Sequence, residues 1–492
     1  MKIDLLLGID LGTGGCKVTL IDTAGNLVDA VSGEYQTSHP KPGYAEQNPS
    51  DWYSTMCAIL GKLKHRGRIA TVALDSYTHG AVLLDEKMQV IRPTIIWTDQ
   101  RSVKECEFLK KNYFDLIFNT AYQAPTPTWT LPQMLWLKKN EPDNFARIKH
   151  ISFVKDYIRY LLTGELACDC IESQGTLFWD MKKSCWSEEL CGLADIPFKA
   201  LPRIGKPTDL AGRLTAKAAS ETRLPKGIPV IMGASDSAVE DYASGAIEPG
   251  QCILKLATAG NVNVMTAKAH PHPETLTYSH VVPGLWYTVT ATNAAAICQR
   301  WFRDNFCAVG TNYEELNELA SQSPPGSNGV FFHPYLMGER SPYWDPCLRG
   351  GFTGLSMASG KADMSRALLE GVAFSLRDCY RTIEKMGLNT HEFILIGGGA
   401  KSQLWSRIIC DVFNAPVKCP AICDASFGSA LLAGVGTGVF SDEVSAVRQC
   451  LKFEREFAPV AENVEFYARQ FGHYRKIHDA LADVYWNINH TK

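Results

Sequence analysis

Asp236 lies in the stretch 230–250, VIMGASDSAVEDYASGAIEPG, between a short apolar run and a segment with helical character. A carboxylate at a strand end, beside small residues that let another molecule approach closely, can take a proton from an alcohol. The alternative is a helix cap for 237–245, since Asp is a preferred capping residue. A second acidic residue, Asp10, lies near the end of the apolar run IDLLLGIDL and precedes Gly12-Thr-Gly-Gly15 and Lys17. Glycines at such a bend expose backbone N–H groups to an anion. Asp10 is too close to a phosphate there to face it without a cation, so Mg²⁺ is expected at Asp10, with Asp236 as a second metal carboxylate. His79, Trp97 and Asp99 sit where predicted strands end in polar residues, a place where ligands bind in α/β domains. Gly397-Gly-Gly-Ala-Lys-Ser402 follows another buried strand and would let a flat base or a phosphate lie against the backbone.

The elements that must hold these groups alternate. Strands are expected over 3–11, 16–22, 27–32, 69–75 and 81–85, and a helix capped by Ser50 over 50–64. Further helices are expected at 102–111, 129–139, 156–163, 293–306, 313–321, 361–385, 403–412, 427–438 and 460–490. The opening theme recurs near mid-chain: QCILKL (251–256), the small-residue turn 257–260, then a returning strand, with Thr258 falling on Thr13 and Ala257 on Gly12. Such a repeat indicates two domains built alike, 1–247 and 248–492. A nucleotide is expected in the cleft between them, with one turn from each side on its phosphates.

Bulk properties narrow the class. The chain has 492 residues, 46% hydrophobic and 21% charged, with net charge −3. That length calls for two domains, and the charge gives no nucleic-acid footprint. No apolar run reaches the ~20 residues that span a bilayer, and Asp10 interrupts the N-terminal run before any cleavage site. The 16 cysteines are scattered and lack zinc or redox spacing, so reduced thiols and a cytoplasmic location are expected.

Five stretches, GIDLGTGGCK (8–17), GASDSA (233–238), LATAGN (256–261), GERSPYWDP (338–346) and IGGGAKSQLW (396–405), together resemble the FGGY carbohydrate kinase family. The resemblance implies an α/β protein of two ribonuclease-H-like domains, of the actin/hexokinase type, flanking a catalytic cleft. It implies ATP and Mg²⁺ as cofactors and a small ketose or polyol as substrate, with the sugar held by the N-terminal domain and ATP by the C-terminal one. Asp236 matches the catalytic aspartate that activates the substrate hydroxyl. Asp10 matches the Mg²⁺-associated residue, Gly12 and Thr13 the first phosphate turn beside Lys17, and Thr258 and Gly260 the second. Gly398, Gly399 and Ser402 match the adenosine segment, and Thr78, His79 and Trp97 the positions that touch the sugar. His79-Gly is closest to the xylulose kinase pattern. Ser237, where the family usually has an amide, Ala257 for a common Gly, and Asn261 near the substrate depart from it. Ribulose, gluconate or another polyol or aldonate remains an alternative substrate, and a non-catalytic sugar or nucleotide sensor an alternative role. An actin- or chaperone-like ATPase would need a polymerising or peptide-binding segment. No nucleic-acid or membrane partner is expected, and a homodimer is allowed.

Overall fold

The computed structural model describes residues 4–490; Ile3, expected to open the first strand, lies outside the described residues. Two compact units emerge. The first contains residues 1–245, 278–284 and 422–451, and the second 246–277, 285–421 and 452–492. The units are therefore not contiguous halves: two segments beyond residue 247 pack with the first.

In the first unit the strands run in the order Leu210–Arg213, Pro229–Ser235, Ile69–Ser76, Leu5–Gly12, Gly15–Asp22, Leu27–Glu34. Leu5–Gly12, LLLGIDLG, is buried along almost its whole length, which makes it a central strand with both faces covered. It pairs in parallel with Ile69–Ser76 and antiparallel with Gly15–Asp22. One face is covered by the helix Ala425–Gly436, which approaches so closely that a Cβ on Gly8 would lie 1.8 Å from the Ser426 carbonyl oxygen. The other core of the unit gathers Leu5, Ile9, Val18, Trp52, Met56 and Leu74.

The second unit repeats the plan. Six neighbouring strands of its seven-stranded sheet run Trp286–Thr292, Gly260–Thr266, Gln251–Leu256, Glu392–Ile396, Val417–Pro420, Phe453–Phe457. Gln251–Leu256 again pairs antiparallel with the strand after it and parallel with one far along the chain, Glu392–Ile396. In both units three antiparallel strands are extended on the first of them by two parallel strands and then an antiparallel edge strand. The mid-chain repeat read from the sequence is thus a repeat of topology, and the expected pair of like α/β domains is found. The long helix Lys361–Lys385 buries Leu368, Val372 and Leu376 in this unit's core, as its spacing predicted.

Boundaries moved where capping chemistry was misread. The helix expected from Ser50 to residue 64 is Pro49–Leu60. Its cap is Asn48, whose side chain accepts the Ser50 N–H at 3.3 Å, and Pro49 takes the first helical position, which needs no N–H. The strand Phe453–Phe457 was not anticipated, because most of it is exposed and it carries little apolar pattern.

Candidate functional site

In the first unit, Pro229–Ser235 runs parallel to Ile69–Ser76 with a register shift between Ile231 and Ala234. Gly233 sits at that irregularity with φ +72°, and a Cβ there would be 1.7 Å from the Leu74 carbonyl oxygen. Only glycine combines that backbone and that approach. The helix after it spans Asp236–Ala243, so Asp236 is its first residue and Ser235 holds the cap position. Asp236 Oδ1 accepts the Ser237 N–H at 2.6 Å and the Ser237 hydroxyl at 3.1 Å. Asp236 is therefore not the cap itself; its Oδ1 engages the first turn through Ser237. Ser237 itself is exposed.

Asp10 lies within electrostatic reach of this carboxylate. Burial, and then the charge of Asp236, push its pKa up to about 7. Asp75, opposite it in register, is buried and held well above the usual carboxylate range, chiefly by burial and then by Asp10. The two carboxylates titrate together, so a proton held there belongs to the pair. Ser429, on the helix Ala425–Gly436, donates to Asp75 Oδ2 at 2.6 Å. Asp10 Oδ1 is buried with no hydrogen-bond partner. Glu240 and Asp424 add negative potential there. An orphaned buried oxygen among carboxylates is the donor chemistry a hard divalent cation requires, so these residues fit Mg²⁺. The neighbouring cation, Lys17, is 2.9 Å from Asp424, which in turn caps the helix Ala425–Gly436. Asp75, Glu240 and Asp424 were missed from the sequence. A lone Asp closing the apolar run IATVALD was a readable signal; the Lys17–Asp424 pair, over 400 residues apart, left none.

The tip Gly12–Gly15 is clamped from several sides. The Tyr35 hydroxyl donates to the Gly12 carbonyl, Gln47 Nε2 donates to the Thr13 carbonyl at 2.7 Å, and Trp97 Nε1 donates to Thr13 Oγ1 at 2.8 Å. Trp97, though 40% exposed, thus joins the Thr13 turn. At the end of Ile69–Ser76, Thr78 and His79 pack on Gly175 of the turn Glu172–Thr176. His79 Nδ1 is 2.6 Å from the Gly175 carbonyl and its ring stands edge-on to Trp129 at 4.6 Å. Burial lowers its pKa to about 4. A neutral imidazole whose Nδ1–H serves a carbonyl keeps Nε2 as an acceptor, suited to a hydroxyl. Asp99 is 1% exposed and committed elsewhere: it accepts from Ala45 N–H at 2.5 Å and from Arg101 Nε and Nη2 at 2.9 and 2.8 Å. Arg101 in turn lies over Tyr44 at 4.0 Å.

A buried ion cluster backs this region. Lys155 Nζ is 2.6 Å from Asp156 and 2.5 Å from Asp169, and Arg159 is 2.9 Å from Asp156, all fully buried. Asp156, Cys168 and Asp169 have metal-like spacing, but the Lys155 ammonium already serves both carboxylates.

In the second unit, the turn 257–259 joins the hairpin strands. The Thr258 carbonyl accepts the Ala295 N–H at 2.9 Å and that of Ala257 accepts Ala296 N–H at 2.8 Å, leaving the Thr258 side chain exposed. Gly260 is buried, its Cα facing Leu376, Thr292 and Ala295. Asn261 pairs with Lys255 and Ala291 in the sheet. Gly398 opens onto free space, whereas Gly399 packs on Leu256 and Trp405. Ser402 caps the helix Gln403–Phe413 by accepting the Trp405 N–H at 3.2 Å. Glu339 accepts from Thr292 Oγ1 at 2.6 Å and Asn293 N–H at 2.9 Å, and burial raises its pKa to about 7.

The N-terminal domain of the FGGY family of carbohydrate kinases matches residues 5–240 and its C-terminal domain residues 257–437. A xylulose kinase of Lactococcus lactis is 31% identical over 489 residues, covering 97% of each chain. A gluconokinase of Bacillus subtilis is 27% identical over 479 residues, covering 94% of this chain and 93% of its own. A crystal structure of a "xyloylose kinase" from Brucella ovis superimposes with a TM-score of 0.90 at 31% identity, covering 98% of this chain and 100% of its own. The chain belongs to the FGGY family of carbohydrate kinases and is an ATP-dependent carbohydrate kinase.

Proposed function

We propose that the protein transfers the γ-phosphoryl group of ATP to a hydroxyl of a small ketose or polyol, with a xylulose-like ketopentose as the preferred acceptor. One observation carries the reading: Asp236 stands just past a strand end, within electrostatic reach of Asp10, whose buried Oδ1 lacks a partner. Phosphoryl transfer is largely positioning and charge neutralisation. Asp236 orients the attacking hydroxyl and accepts its proton, help usually worth ~10²–10⁴-fold. Asp10 and Asp236 would hold Mg²⁺, which neutralises phosphate charge when bound. Gly12 and Thr13, beside Lys17, form one phosphate turn. His79 Nε2 accepts a sugar hydroxyl, with Thr78, Trp97 and Ser237 beside the sugar, and Asp99 shapes the wall through Arg101 rather than by touching substrate. The second unit supplies the nucleotide site: Thr258 and Gly260 at the phosphates, with Asn261 beside them, and Gly398, Gly399 and Ser402 at the adenosine.

The test is ADP release with MgATP across D-xylulose, D-ribulose, glycerol, xylitol and D-gluconate. Strong stimulation by one ketopentose, abolished in Asp236→Asn, is expected. The gluconokinase relative favours a second reading, an aldonate acceptor; preference for gluconate would select it. Silence from every acceptor would defeat both.

A further inference from the structure

Gln47 belongs to none of the groups assigned above, yet it holds one of them, Thr13, and the residue that precedes Thr78. It is 2% exposed, and its amide is completely used. Nε2 donates to the Thr13 carbonyl at 2.7 Å and to Thr37 Oγ1 at 2.8 Å. Oε1 accepts from Trp52 Nε1 and from the Tyr77 hydroxyl, both at 2.9 Å. A primary amide offers two donors and, on its oxygen, two acceptor sites, so no capacity is left over. Its orientation is fixed by chemistry: the indole N–H can only donate and the Thr13 carbonyl can only accept.

Those partners come from separate elements. Thr13 is the tip of the phosphate hairpin, Trp52 lies in the helix Pro49–Leu60, and Tyr77 directly precedes Thr78 and His79. The backbone extends the tie: Glu46 and Gln47 pair antiparallel with Ile95 and Thr94, two residues before Trp97, whose indole holds Thr13 Oγ1. The Tyr77 phenol, raised well above its ordinary pKa by burial, stays a donor throughout the working pH range.

We propose that Gln47 is a positioning residue that fixes the phosphate hairpin at Thr13 and the sugar-side strand end at Tyr77–His79 in one register, so that loss of its amide loosens both together. The inference rests on the kinase reading for its catalytic consequence, but not for the tie itself. Misplacing reacting groups by an ångström costs up to ~10²-fold in rate, and a buried amide with both ends engaged is a device for preventing that.

The experiment compares the full-length wild type with Gln47→Leu, which keeps the bulk and removes all four bonds, and with Tyr77→Phe, which removes one. Amide hydrogen exchange is followed over residues 12–15 and 77–80 without ligand. Kinetics with MgATP and D-xylulose give kcat and both KM values. Both segments are expected to exchange faster in Gln47→Leu, with kcat lowered about 10- to 100-fold and the Tyr77→Phe effect smaller in the same direction. Faster exchange in only one segment, or a lower melting temperature with kcat and both KM values unchanged, would overturn the proposal. Should Gln47→Leu fail to fold, Tyr77→Phe decides: no change at residues 12–15 overturns the tie. A wild type inert toward every acceptor defeats the functional reading, while the exchange data still judge Gln47.

Discussion

Asp10 carries its strain as a proton. Its pKa is pushed up to about 7 by burial and by Asp236, against about 3.9 for an unfolded Asp. Between roughly pH 4 and 7 the folded chain therefore holds a proton that the unfolded chain releases, and stability falls as pH rises through that window, by roughly 4 kcal/mol at most. Asp75, also raised, acts with the same sign. The melting temperature of metal-free protein should drop between pH 5 and 8 and recover with Mg²⁺, and Asp10→Asn should flatten the profile. A profile rising with pH would refute the assignment. Lys155 presents the opposite case, a buried cation shared by Asp156 and Asp169. Lys155→Met strands Asp169 and leaves Asp156 to Arg159 alone, and should cost about 3–5 kcal/mol in urea unfolding. At this scale the sequence was readable where a residue's neighbours in the chain are its neighbours in space. Asp236 and Asp10 announced themselves at strand ends, and the Thr13 turn by its glycines. Asp75 and Asp424 acquire their meaning from partners tens to hundreds of residues away, and the pairing of Asp99 with Arg101 two residues on was not read.

The elements place Asp236 through a defect rather than through regularity. The irregular strand Pro229–Ser235 delivers its last residue to the helix start because Gly233 adopts φ +72° against the Leu74 carbonyl. Gly233→Ala adds both a disfavoured backbone and a clash, and should destabilise by about 3 kcal/mol or more. At temperatures where the variant is still folded, kcat should fall more than either KM rises; unchanged kcat would show that the strand end tolerates displacement. Helices with strong stripes, such as Lys361–Lys385 and Tyr313–Ser321, were read from sequence at their observed bounds. The Asn48 cap and the exposed strand Phe453–Phe457 were not, since competing caps and weak apolar alternation leave the choice to tertiary partners.

At the scale of the molecule, the repeat of topology was legible because each unit opens with an apolar strand and a small-residue turn. The return of residues 422–451 to the first unit was not, because a small-residue helix looks the same whichever sheet it covers. A fragment of residues 1–247 lacks the helix Ala425–Gly436 and leaves the strand around Gly8 uncovered. It should be protease-sensitive and show little cooperative unfolding by circular dichroism, and co-expression with residues 248–492 should restore a resistant product. A sharp, stable transition for the fragment alone would contradict this.

The same threading sets a clock on the ribosome. The first unit is nearly all synthesised by residue 245 but waits for a segment that ends at residue 451. At about 5–20 residues per second, the intervening stretch of roughly 200 residues takes on the order of 10–40 s to emerge. Throughout that interval an apolar sheet face stands open in the crowded cell, so a nascent chain of this protein is a natural client for holding chaperones, and slower translation lengthens its exposure.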